Sequence, residues 1–154
     1  MKIFLPEDVL PRSLAGHLLV DSSGLPRYWA LVWTALNGFS KAASTLQKDH
    51  AAIDRLYRTV EARLAADKLD QLLTEFDLET LGTILESFFI ELRNSALDEG
   101  AGSRDTWNRA VWFIRSIASR ICNANAGLTD DGADARLLRF NSRIAALHFA
   151  RRGK

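Results

Sequence analysis

The chain has 154 residues, which suits one domain with room for a core and some peripheral segments. Hydrophobic residues make up 47% and charged residues 25%, an ordinary globular composition, and no apolar stretch reaches the ~20 residues that span a bilayer. The first residues lack the apolar run of a secretory signal, and Cys122 is the single cysteine, which excludes an internal disulfide and a multi-cysteine zinc site and fits a reducing cytoplasm.

The net charge of +1 hides an asymmetry. Asp67 to Glu99 holds nine acidic and two basic residues, Ser103 to Ile121 four arginines and one aspartate, and Ala133 to the end five arginines, one lysine and one aspartate. Positive charge grouped on particular segments is what an electrostatic footprint on a nucleic acid requires, and a mixed-charge soluble surface shows such blocks as well.

In chain order, residues 1–40 are the least regular and contain all three prolines, Pro6, Pro11 and Pro26. His17 to Val20 followed by Asp21-Ser-Ser-Gly24 predicts a short strand running into a turn. Tyr28 to Leu36 is apolar and too short for periodicity to separate helix from strand, and Asn37-Gly38 closes it with a turn signal. Ser44 is a candidate N-cap for a helix running to about Ala66. Leu46, Ile53, Leu56, Tyr57, Val60 and Leu64 form its apolar stripe, with Lys48, Ala51, Arg55 and Arg58 opposite. A short helical piece over Leu69–Leu73 precedes a second helix from Asp77, with Glu79 in its first turn and Leu78, Leu81, Leu85, Phe88 and Leu92 as its stripe.

Gly100-Ala-Gly-Ser103 predicts a flexible break, after which Ser103 opens a third helix to about Cys122. Its core side is Trp107, Ala110, Val111, Ile114, Ala118 and Ile121. Its other side carries Asp105, Asn108, Arg109, Arg115, Ser116, Ser119 and Arg120, with Trp112 in the middle. Asn123 to Gly132 reads as a polar linker. A last amphipathic helix follows, with Leu137, Leu138, Phe140, Ile144, Leu147 and Phe149 as its apolar positions. The expected fold is an all-α bundle of about four helices, with an irregular N-terminal arm that includes a short strand and a C-terminal helix after a linker.

The third helix reads Ser103-Arg-Asp-Thr106-Trp-Asn108-Arg109-Ala-Val111-Trp-Phe-Ile114-Arg115-Ser116. This resembles the last helix of the core-binding, SAM-like N-terminal domain of tyrosine-type site-specific recombinases, the phage-integrase family. Ser103, Thr106, Asn108, Arg109, Val111, Ile114, Arg115 and Ser116 match its pattern. Ser44-Thr45-Leu46 continuing to Ile53 and Leu56 resembles the family's opening helix, and Asp77-Leu-Glu79 to Leu92-Arg93-Asn94 its acidic middle helix. The likeness covers about residues 39–121 in order. It departs at Asp49, where the family carries an aromatic, and at Arg104, where proline is frequent.

The resemblance implies an N-terminal arm over 1–38, a DNA-binding domain over 39–122, and a linker with terminal helix over 123–154 that leads to a catalytic domain lying outside the chain. In the family this domain forms half of a clamp on duplex DNA. By position, Thr45 and Lys48 on the first helix and Thr106, Asn108, Arg109 and Arg115 on the last are the candidate contacts; Arg55 on the basic side of the first helix and Trp112 amid the polar side of the last join them on their own chemistry. Arginine and lysine neutralise phosphates and release counterions. Asn108 and Arg109 can read base edges from the major groove. Each has a plainer counterpart: Thr45 and Thr106 as helix caps, Arg55, Arg58 and Arg120 as solvated charges, and Trp112 covered by the N-terminal arm rather than stacked on DNA or on a neighbouring subunit. The implied partners are duplex DNA and further recombinase subunits in a tetramer, with no membrane, small-molecule substrate or cofactor.

The chain is not expected to be an enzyme by itself. A recombinase cleaves DNA with a tyrosine nucleophile supported by basic residues. Here Tyr57 falls on an apolar stripe, and His148-Phe-Ala-Arg151, though it matches the family's H-x-x-R string, lacks the long domain before it and the tyrosine after it. There is no glycine pattern for nucleotide phosphates. His17, His50 and His148 are scattered, His50 reads as a structural histidine, Glu86 and Glu91 do not share a helical face, and Cys122 reads as structural. The competing expectation is an all-α protein-interaction module without DNA binding.

Overall fold

The structure, a computed structural model, describes residues 2–3, 18–65, 67–99, 102–124 and 132–149. Most of the N-terminal arm including His17, the Gly100-Ala101 break, linker residues 125–131 and Arg151 lie outside the described residues. The expectation of an all-α fold holds: six helices account for nearly all regular structure among the described residues. The chain packs as two compact units, Met1–Gln71 and Leu72–Lys154.

In the first unit, β1 (Lys2–Ile3) pairs antiparallel with β2 (Leu18–Leu19), Lys2 opposite Leu19 and Ile3 opposite Leu18. Val20 bridges to Pro26 and closes the predicted turn. There Asp21 Oδ1 accepts the N–H groups of Ser23 at 2.8 Å and Leu25 at 3.0 Å, and Gly24 adopts φ +84°, a left-handed conformation that glycine tolerates best.

The segment whose periodicity was ambiguous is a helix, α1 (Tyr28–Asn37), burying Ala30, Trp33 and Thr34. Its N-cap position, Arg27, makes no side-chain cap bond. The cap comes from far along the chain: Asp70, in α3 (Lys68–Thr74), accepts the N–H groups of Tyr28 at 2.9 Å and Trp29 at 3.2 Å. A carboxylate there meets both the orphan donors and the positive end of the helix dipole. Asp70 also accepts the Tyr57 hydroxyl at 2.5 Å, while buried Arg27 pairs with Glu61 at 2.6 Å and lies 4.8 Å from the Tyr57 ring centroid.

Helix α2 (Ala43–Arg63) corrects two expectations. Ser44 is not the cap: the helix starts at Ala43, two residues earlier than expected, and Ala42 holds the cap position without a side-chain bond. Leu64 is not on the buried stripe, because the backbone leaves the helix there with φ −124°, and the side chain is half exposed. Leu46, Ile53, Leu56, Tyr57 and Val60 are buried as expected. Asp49, at the departure from the family pattern, is buried and neutralised by Lys41 at 2.6 Å. His50 is buried with Nε2 2.8 Å from Thr34 Oγ1, and that hydroxyl also donates to the Ala30 carbonyl at 2.8 Å. A hydroxyl has one proton, so His50 must donate through Nε2–H, which fixes its tautomer and gives it a structural part.

In the second unit, the C-terminal end of α3 closes with a Schellman motif: Asp77 N–H donates to Leu72 O at 3.0 Å and Phe76 N–H to Leu73 O at 3.1 Å. Phe76 takes the left-handed position usually given to glycine, at φ +56°. Asp77 then caps α4 (Leu78–Glu99), accepting Thr80 N–H at 3.3 Å and the Thr80 hydroxyl at 2.8 Å. Asp77→Ala is expected to lower stability by about 1 kcal/mol; urea denaturation checks this, and an unchanged midpoint would refute the cap.

Helices α4, α5 (Gly102–Ala124) and α6 (Gly132–Ala145) pack pairwise against one another. All five predicted stripe residues of α4 are buried, and Trp107 of α5 meets Phe89 edge-on with centroids 5.2 Å apart. In α6 Phe140 and Ile144 are buried, but Leu138 is 69% exposed. At about 100° per residue it points some 160° away from Phe140, so the helix cannot bury both.

Candidate nucleic-acid interface

Helix α5 divides cleanly. Trp107, Ala110, Phe113, Ile114, Ile117, Ala118, Ile121 and Cys122 are buried, and Val111 is half-buried. Ser103, expected at the helix start, is the second residue of α5 and buried, its hydroxyl unbonded among the described residues. The opposite side exposes Arg104, Asp105, Asn108, Trp112, Arg115 and Arg120. At about 100° per residue, Arg104, Arg115, Asn108 and Trp112 fall within roughly 80° of one another, a single row. From Arg104 to Arg120 the helix rises about 24 Å.

The predicted residues differ in how freely they are presented. Asn108 and Arg115 lie in the exposed row, and Trp112 is 46% exposed within it. Thr106 is half-buried and lies beyond the first three residues of the helix, so it is not its cap. Arg109 is half-buried and its Nε donates to Asp105 at 2.8 Å. An i,i+4 pair of this kind is worth only about 0.3–0.5 kcal/mol, so it restrains Arg109 without consuming it. Arg115 and Arg120 engage no ion pair among the described residues.

Thr45, Lys48 and Arg55 belong to the first unit. Lys48 is exposed, and Thr45 and Arg55 are half-buried. Ala51 and Arg58 are exposed on the same side of α2 as predicted, with Arg58 held by Asp54 at 3.0 Å.

One cluster was missed. A cleft of about 260 Å³ opens between α4 and α6, lined by Leu78, Glu79, Arg136, Arg139, Phe140 and Arg143. The three arginines stand at i, i+3 and i+7, one stripe of α6, and that spacing was visible in the sequence. Arg143 Nε donates to Glu86 at 2.7 Å, and this bond holds the Glu86 carboxyl below the usual carboxylate range. Elsewhere in the unit, Cys122 Sγ lies 3.2 Å from Asp134 Oδ1, and that hydrogen bond, followed by burial, pushes the thiol's pKa up and keeps it protonated. Among the described residues no group of three or more His, Cys, Asp or Glu is placed to hold a metal ion, and no helix is long and apolar enough to cross a membrane.

Compared with protein families, with curated proteins and with solved structures, the chain has no match in any of the three.

Proposed function

We propose that this chain binds duplex DNA, as the non-catalytic N-terminal module of an integrase-like site-specific recombinase that it helps to position on a recombination site. The observation that carries the reading is the outer side of α5: arginines at 104, 115 and 120, with Asn108 and Trp112 between them, exposed along about 24 Å of one rigid helix. That length matches roughly seven base-pair steps at about 3.4 Å each. The arginines would neutralise phosphates, and Asn108 would meet a base edge where the helix enters the major groove. The cleavage chemistry would belong to another domain, and further subunits would join in the assembled recombinase.

A second reading, a protein-interaction module, is favoured by a different surface. Along α1 and the turn after it, Tyr28, Leu36 and Phe39 are exposed, Phe39 by 73%. Large exposed apolar side chains in a row mark contact sites.

Fluorescence anisotropy with mixed-sequence duplexes at low and moderate salt separates the two. Binding that weakens steeply with salt supports phosphate contacts. No binding at low salt overturns the DNA reading and leaves the α1 surface as the functional one.

A further inference from the structure

Resting on the DNA-binding reading but on different residues, we infer that the α4–α6 cleft is a phosphate site, with Arg139 as its open ligand and Arg136 and Arg143 as its fixed walls. The cleft brings three guanidinium groups and one carboxylate, Glu79, around about 260 Å³, enough for a phosphate group.

The two walls are held by bonds that leave donors over. Arg143 uses Nε on Glu86 at 2.7 Å, Nη1 on the Glu79 carbonyl at 3.3 Å and Nη2 on the Thr83 hydroxyl at 3.2 Å. A guanidinium carries five N–H donors, so each Nη keeps a second one. The Arg143 guanidinium also packs close against Gly82: a Cβ on that glycine would sit 2.5 Å from Nη1 and 2.9 Å from Cζ. Arg136 donates through Nη2 to the Phe76 carbonyl and stacks 5.1 Å from the Phe76 ring centroid. Both side chains are therefore ordered before any ligand arrives, which removes most of the entropy that a long side chain loses on binding.

Charge points the same way. Glu86 balances Arg143, but Arg136 and Arg139 form no ion pair among the described residues, and Glu79 offsets only one of them. The cleft retains net positive charge beside the first turn of α4 at Leu78 and Glu79, where the helix dipole is positive. Arg139 is exposed at its mouth and engages no partner among the described residues. Planar guanidinium groups converging on one small space suit the oxygens of a phosphate better than a peptide carboxylate of fixed orientation. In the context proposed above, the ligand is one phosphodiester of the DNA backbone.

The test uses the full chain and two probes, inorganic phosphate followed by amide and arginine Nε NMR shifts, and duplex DNA followed by anisotropy. Phosphate is expected to shift Arg139 and the amides of Leu78, Glu79 and Thr80. Arg139→Ala should abolish those shifts and lower the salt slope of DNA binding by about one. Arg139→Lys should restore the slope but not the full affinity. Gly82→Ala, which drives Arg143 off its seat, should weaken phosphate binding several-fold with Arg139 intact. If the parent chain binds DNA and Arg139→Ala leaves both the slope and the phosphate shifts unchanged, the cleft is not a phosphate site. If the parent chain fails to bind DNA but phosphate shifts Arg139, the cleft stands with a free phosphate compound as ligand, and the DNA reading alone is lost.

Discussion

Asp70→Ala is expected to lower the unfolding free energy by about 2–4 kcal/mol, a large effect for a single substitution outside the apolar core. The carboxylate receives three donors at once: the Tyr28 and Trp29 N–H groups at the start of α1 and the Tyr57 hydroxyl at 2.5 Å. Removing it takes the acceptor away from the Tyr57 O–H in a side chain that is only 2% exposed, and strips the Asp70 cap from the start of α1. An orphaned buried donor costs about 1–3 kcal/mol and a lost cap about 1. Tyr57→Phe, which removes one donor and leaves Asp70 its two N–H partners, should cost about 1 kcal/mol. The double variant should be less destabilised than the sum of the two, because the orphaned hydroxyl is gone. Urea denaturation measures all three; an Asp70→Ala loss under 1 kcal/mol would remove this network as the organiser of the first unit.

The same network gives a pH dependence with a definite sign. Burial first, then the Asp70 charge and hydrogen bond, raises the Tyr57 pKa well above its ordinary 10.0. The folded chain therefore keeps a proton that the unfolded chain releases, and stability falls as pH rises beyond 10. Asp70 is shifted upward too, chiefly by burial and against the pull of its three hydrogen bonds. Its contribution declines as pH rises through the window just above 3.8, the ordinary value. Lysines titrate in the alkaline range as well, so the informative quantity is the difference in slope between the parent chain and Tyr57→Phe above pH 10. Parallel slopes would contradict the shifted tyrosine.

That network also marks where the sequence stopped being readable. Helices α2, α4 and α5 announced themselves because one apolar stripe at helical spacing faces a polar side. Helix α1 did not, since apolar residues surround Tyr28 to Leu36, and its start is stabilised by Asp70, more than forty positions away in sequence. No local pattern carries that information. Leu138 was assigned to a stripe by its apolar character although its helical angle opposed Phe140, while Leu64 followed the stripe one residue past the end of its helix. On the candidate interface, angle sufficed to place Asn108, Trp112 and Arg115 in one row. The i,i+4 spacing of Asp105 and Arg109 was legible as well, although the pairing was not anticipated, whereas the meeting of the α6 arginines with a cleft depends on α4, a neighbour that only folding supplies.

On α5 the second large effect is expected from removing its exposed arginines, Arg104 and Arg115 in the row and Arg120 on its flank. Arg104→Ala, Arg115→Ala and Arg120→Ala together should reduce the salt slope of DNA binding by up to about 2.7, near 0.9 for each lost phosphate contact, with affinity falling on the order of 100-fold or more. All three side chains are exposed on a helix whose other side is fully packed, and alanine is the best helix former, so helical content and melting temperature should hold. Arg109→Ala alone should do less, because it removes a cation already shared with Asp105 and leaves that carboxylate unopposed. Asp105→Asn makes the complementary case. It releases Arg109 and deletes the one acidic group on the exposed side of α5, and binding should tighten several-fold at low salt with the gain shrinking as salt rises. Trp112→Ala distinguishes stacking from charge: a loss of affinity with an unchanged salt slope would mean the indole meets a base or sugar. If the triple variant binds as the parent does, phosphates do not lie along α5, and the exposed apolar row of α1 becomes the surface to explain.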